Sequence, residues 1–234
     1  MLFDCYESLA KSRHAQQNYQ LAAEQYVKCK DILELDMPTV NVDKLEHVYQ
    51  QLVALYKTIA QWKRVATTMV KLYDIQCAKY GPGAKATLRG ALNLCEAFIE
   101  IGYFMQATKQ LFSVLNLVQN RLLDAFDDSK KNSSTANPTD TITAGRTMTR
   151  EKENMSMFDD DPITSKELQL LSSRSFLMLG KCFLQRGKFE QAQKSVDRVL
   201  HLIKISSLNE DLVGLSTECH LLRGDICVVL GNAT

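Results

Sequence analysis

The residue types that do chemistry are present in this chain but are not gathered. His14, His47, His201 and His220 are far apart, without the short spacing that lets two imidazoles share a metal ion. Cys219 and His220 are adjacent, which on a helix sends them to different faces. Seven cysteines are an odd number, and none forms a Cys-x-x-Cys pair. The chain holds no glycine-rich phosphate loop, no Gly-x-Ser-x-Gly turn and no His-Glu-x-x-His helix. Its lysines and arginines are scattered over solvated faces. The chain is therefore read as a non-enzyme, with no catalytic residue, no metal ligand and no cofactor.

Charge and hydropathy narrow the partners. The 28 basic and 27 acidic residues leave a net charge of +1, which gives no electrostatic case for nucleic acid. Hydrophobic residues make up 45% of the chain, yet no apolar run approaches the roughly 20 residues of a membrane span. Met1-Leu2-Phe3-Asp4-Cys5 lacks a basic segment followed by an apolar core, so a secretory signal is not expected. Free thiols used as small apolar residues (Cys29, Cys95 and Cys227) suit a reducing compartment. The expected location is cytoplasmic, with cilium, cytoskeleton or nucleus as variants.

The elements that would position any site are all helical. Few glycines and prolines interrupt the chain, and they fall between apolar-periodic stretches. The pattern predicts helices at 3–16, 19–34, 43–59, 62–79, 84–101, 104–125, 166–185, 188–204 and 210–230. Residues 126–165 turn polar, lose that periodicity and read as a disordered or flexible insert. Within it, Thr149 and Ser156 are candidate phosphate acceptors, because Asp159, Asp160 and Asp161 follow Ser156 by three to five positions. Met155-Ser156-Met157-Phe158 is a candidate internal peptide for a binding groove.

The helices repeat a code. Phe176, Leu179, Gly180, Phe183, Gly187, Phe189, Ala192, Val196 and Val199 set out large, small and aromatic positions in fixed register. Tyr6, Leu9, Ala10, Tyr19, Ala22, Tyr26 and Cys29 follow the same register. So do Tyr49, Leu52, Tyr56, Trp62, Val65, Met69 and Leu72, and Ala91, Leu94, Cys95, Phe98, Gly102, Phe104, Ala107, Leu111 and Val114. A fifth copy begins at His220 with Gly224, Cys227 and Gly231. The first large position recurs at 6, 49, 91, 176 and 220, giving steps of 43, 42, 85 and 44. The doubled step admits either a decayed repeat or a plain insertion, with helix 104–125 docking directly on helix 166–185.

This register resembles the tetratricopeptide repeat (TPR), in a long-unit form similar to kinesin-light-chain-like proteins. The Lys79-Tyr80-Gly81-Pro82-Gly83 turn resembles the glycine/proline turns between their repeats. The resemblance implies an all-α fold, an α-solenoid of antiparallel helix hairpins wound as a right-handed superhelix. Repeats 1–3 fill 1–125, while repeat 4 and the first helix of repeat 5 fill 166–234. No single hairpin can bury both its faces, so stability comes from stacking on the next. The fifth copy stops after its first helix, so the sequence is read as a fragment or as a subunit whose open end docks on another protein.

In the resembling family, particular first-helix positions face a concave groove. Here they read polar and mixed in charge in the first two repeats and apolar in the later ones. The groove residues carried over are Arg89, Leu92, Asn93, Glu96, Ile99, Arg174, Leu177, Met178, Lys181, Leu184, Leu221 and Leu222. Leucine and methionine there imply anchors for an amphipathic helix or extended peptide. The alternative is tight curvature, with the same residues packed on the next unit. The chaperone-type carboxylate clamp of this family does not match, since Glu7 stands where a lysine is required. The expected function is a non-catalytic scaffold or adaptor binding a peptide or helix, within a cytoskeletal, ciliary or motor-linked assembly. The competing expectations are a structural subunit of a proteasome-lid-like complex and a regulatory subunit of an enzyme.

Overall fold

The computed structural model describes residues 1–35, 41–133, 163–205 and 210–231. Most of the polar insert, with Thr149, Ser156 and the candidate peptide 155–158, lies outside the described residues. Among the described residues nine helices follow one another: α1 (Leu2–Ala15), α2 (Tyr19–Leu35), α3 (Val42–Thr58), α4 (Trp62–Tyr80) and α5 (Lys85–Glu100), then α6 (Phe104–Ser133), α7 (Ser165–Gln185), α8 (Phe189–Ile205) and α9 (Glu210–Gly231). Their ends fall within about one residue of the sequence expectation, except at α6. That helix passes 125 and continues to Ser133, because no glycine or proline stands between Gly102 and Pro138 to stop it.

Four helix ends are built alike. At the turns after α1, α3, α5 and α7, residues Gln17, Ala60, Gly102 and Gly187 adopt φ of 60°, 55°, 82° and 69°. Each left-handed residue donates its N–H three residues back, and the next residue donates five residues back. Asn18 thus reaches the carbonyl of Arg13 at 2.9 Å, and Lys188 reaches that of Phe183 at 2.9 Å. This is a Schellman closure, which satisfies helix-end carbonyls within a three-residue turn. Two of the four turns achieve it without glycine. Elsewhere, Asn41 caps α3 by accepting from the Lys44 N–H at 3.1 Å. Thr164 and Glu167 form a reciprocal capping box at the start of α7.

The hairpins α1/α2, α3/α4, α5/α6 and α7/α8 stack in order, each helix packing on the next. Helix α6 packs directly on α7 and α5 also touches α7, so the third and fourth hairpins are neighbours despite the 85-residue step. The docking reading of that step is the one observed. Small residues sit where helices meet: Ala10, Ala22, Ala107 and Ala192 have no exposed surface. A Cβ on Gly180 would lie 3.1 Å from Leu222 Cδ2 and 3.3 Å from Val196 Cγ2, so α7, α8 and α9 converge there.

Burial divides the stack into two cores that share one helix. Ala22, Tyr26, Leu52, Tyr56, Met69 and Leu72 centre the first, and Leu94 and Ala97 of α5 complete it. Leu88, Ala91, Leu92 and Cys95 of the same helix open the second, which runs through Leu111, Leu179 and Val196 to Ile226. A polar seam lies where α3, α4 and α5 meet. Glu46 is buried and accepts from Lys79 Nζ at 2.9 Å, Tyr80 OH at 3.0 Å and Gln76 Nε2 at 3.3 Å. A buried acid needs such partners, because an unpaired one would lose its solvation without return. Burial works to lower the Lys79 pKa, but hydrogen bonds to Asp43 and Glu46 outweigh it and hold the ammonium well above its usual value. Gly90 admits Gln76: a Cβ there would come within 2.2 Å of Gln76 Oε1.

Candidate partner-binding face

The first helices of the hairpins, α1, α3, α5, α7 and α9, line one side of the stack. On the C-terminal half of that side, α5 approaches α7 and α7 approaches α9, whereas α4 and α6, or α6 and α8, do not touch among the described residues. First helices closer than second helices place the first helices on the inside of the curve.

That closeness corrects part of the sequence reading. Leu92, Leu177 and Leu222 are 6%, 3% and 6% exposed, buried in the second core rather than presented to a partner. The physical reason is curvature: bringing α5, α7 and α9 together converts outward positions into inter-helix contacts. Ile99, Met178 and Leu184 are half-buried against the same core. Leu221 is 67% exposed, and Arg89, Asn93 and Arg174 are exposed, while Glu96 and Lys181 engage ion pairs.

Those ion pairs, with one histidine–carboxylate contact, link successive first helices. His47 Nε2 of α3 lies 3.6 Å from Glu7 of α1. Lys57 of α3 reaches Glu96 of α5 at 2.6 Å, Lys85 of α5 reaches Glu167 of α7 at 2.5 Å, and Lys181 of α7 reaches Glu218 of α9 at 2.9 Å. Exposed pairs of this kind add little stability, so their effect is on register between hairpins. Spacing alone did not reveal Lys85 or Glu167, because their pairing spans the doubled repeat step. The Thr164-x-x-Glu167 capping box was the one local signal available.

A cleft of about 410 Å³ opens between α5 and α7. Lys85, Arg89 and Asn93 form one wall, Glu167 and Arg174 the other, and Leu92, Leu170 and Leu171 the floor. Glu167 uses both oxygens. Oε1 takes Lys85 and, at 3.6 Å, Arg89, while Oε2 accepts from the Thr164 N–H at 3.2 Å. The Lys85 ammonium first, and the Thr164 backbone second, hold the Glu167 carboxyl below the usual carboxylate range. Among the described residues Arg174 makes no ion pair. No nucleophile stands beside a base in this cleft, and no group of three metal-ligating side chains occurs among the described residues.

No family model matches the chain, and no curated protein matches it. Solved structures do. A Podosopora anserina protein of nearly identical TPR-like repeats, described as of kinesin-light-chain type, superposes with a TM-score of 0.51 at 11% identity, over 99% of this chain and 96% of that one. The apo form of RapI superposes with a TM-score of 0.53 at 10% identity, over all of this chain and 72% of that one. The fold is a TPR-like repeat solenoid. At these identities the likeness speaks for architecture: an all-α, right-handed superhelix of antiparallel hairpins. Among the described residues no helix of this TPR-like stack is long and apolar enough to cross a membrane.

The remaining chemistry-bearing residues are structural or isolated. Burial pushes the Cys95 thiol up to about 12 and the Cys29, Cys182 and Cys219 thiols up to about 11, so these stay protonated and inert. Cys227 departs from its expected core position and is exposed, because α9 packs through Leu215, Cys219, Leu222 and Ile226. His14 stacks edge-on against Tyr19, and His201 and His220 are exposed.

Proposed function

We propose that this protein is a non-catalytic scaffold that holds a polypeptide partner, as a peptide or helix, on the inner face of its first helices within a multiprotein assembly. The observation that carries the reading is the α5–α7 cleft: a leucine floor beneath a rim of unsaturated donors, on the side where first helices converge. The half-buried Leu170 leaves apolar surface for a partner to cover, and the polar rim supplies orientation. The likeness to a kinesin-light-chain-type repeat protein favours motor-linked or cytoskeletal assemblies as the setting. Placing a photocrosslinking amino acid at Asn93, inside the cleft, and separately at Asn116, exposed on α6, tests it in native cytosol. A partner crosslinked from Asn93 and not from Asn116 is expected. Equal labelling from both positions refutes the inner-face assignment.

A second reading, a structural subunit that packs end to end in a helical-repeat complex, is favoured by α9. Leu221 and Val228 there are 67% and 62% exposed, and Val229 and Leu230 are exposed beside them. Contiguous apolar surface on a helix is a contact surface more often than a solvated one. Concentration-dependent sedimentation that Val228→Glu abolishes would favour this reading over the first.

A further inference from the structure

We infer that the α5–α7 cleft recognises an acidic stretch of the partner chain, with side-chain carboxylates on Arg89 and Arg174 and a flanking apolar residue over Leu170 and Leu171. This rests on the scaffold reading above and names the chemistry of its ligand.

The charges within the cleft are unbalanced. Lys85, Arg89 and Arg174 supply three cations and Glu167 one anion, whereas the whole chain carries only +1. The local excess is therefore a feature of this recess and not of the surface at large. Glu167 is also spent: Lys85 holds Oε1 at 2.5 Å and Thr164 holds Oε2, which leaves Arg89 at 3.6 Å, beyond hydrogen-bond distance, and Arg174 without an ion pair among the described residues. Arg89 of α5 and Arg174 of α7 line the same cleft and bring two guanidinium groups to it. Such groups match planar carboxylates two bonds at a time. The amide of Asn93, on the same wall, adds a donor.

Glu167 also shows that these cations accept a carboxylate. It is itself a carboxylate clasped by Lys85 and approached by Arg89, so the site already accommodates that group in its own structure. The leucine floor sets the neighbouring residue. Leu92 and Leu171 are buried in the core, and the half-buried Leu170 keeps the surface that an apolar side chain next to the acidic one would remove from water. The expected ligand alternates leucine-like and acidic residues.

The probe is a short fluorescein-labelled peptide of leucines interleaved with glutamates, acetylated and amidated so that only side chains carry charge. Fluorescence anisotropy is measured with the full chain. Saturable binding is expected, weakened about tenfold by Arg174→Ala, the loss of roughly 1.4 kcal/mol, and similarly by Arg89→Ala. Lys194→Ala, on exposed α8, should leave it unchanged. Both arginines are exposed, so unchanged far-UV circular dichroism is the check that folding survives. Affinity should fall as salt rises, as screening of exposed charges requires. Absence of saturable binding, binding indifferent to both arginine variants, or binding of a phosphoserine version alone would each overturn the proposal. Native crosslinking from Asn93 to a partner without an acidic stretch would overturn the ligand class while leaving the scaffold reading standing.

Discussion

Exchanging the residue types at two equivalent hairpin turns should move stability in opposite directions. Ala60 and Gly102 occupy the same place in successive repeats, with φ of 55° and 82° and the same pair of closing hydrogen bonds. An L-residue held in the left-handed region costs about 1–2 kcal/mol relative to glycine. Against this, glycine loses more freedom on folding, which returns about 0.5–1 kcal/mol to the alanine form. Ala60→Gly should therefore stabilise by about 0.5–1 kcal/mol. For Gly102→Ala the added Cβ meets no atom within 4 Å, so no clash enters and the same balance applies with reversed sign. In a chain of this size about 1 kcal/mol shifts the melting temperature by about 2–4 °C. Urea unfolding followed by circular dichroism, compared at constant slope, reads both changes. A lowered midpoint for Ala60→Gly, or an unchanged one for Gly102→Ala, would refute the claim that one turn geometry closes every hairpin.

Three other outcomes follow from burial. Ala192→Leu, at a position with no exposed surface opposite Gly180, should destabilise by about 1–3 kcal/mol through overpacking, and an unaltered melt would contradict the convergence of α7 and α8. Leu177→Glu places a charge in the second core and should cost more than about 3 kcal/mol, seen as lost helicity, whereas a folded variant would return Leu177 to the binding face. Ellman's reagent on the native protein at mildly alkaline pH should titrate Cys5 and Cys227 fast, and Cys29, Cys95, Cys182 and Cys219 only in denaturant. With Cys77 half-buried, rapid reaction of a fourth thiol would disprove the packed interior.

The periodic code was enough to place the helices, because each helix carries its apolar stripe. Gly102 and Gly187 announced their turns, but Gln17 and Ala60 did not, since neither residue type signals a left-handed backbone. The inner face was legible in part. Register placed Arg89, Asn93 and Arg174 on one side, where they line a common cleft. It also sent Leu92, Leu177 and Leu222 outward, because the approach of α5, α7 and α9 is a property of the stack and not of any one helix. Glu46 was hidden for a similar reason. An acid beside His47 reads as solvated, and only the arrival of Gln76, Lys79 and Tyr80 from α4 makes its burial tolerable.

Helix α5 gives Leu94 and Ala97 to one core and Leu88, Ala91 and Cys95 to the other. It is a party wall: melting either room strips plaster from the other. Denaturation starting at α9 should thus stall when it reaches α5, leaving α1–α4 with a damaged but standing edge.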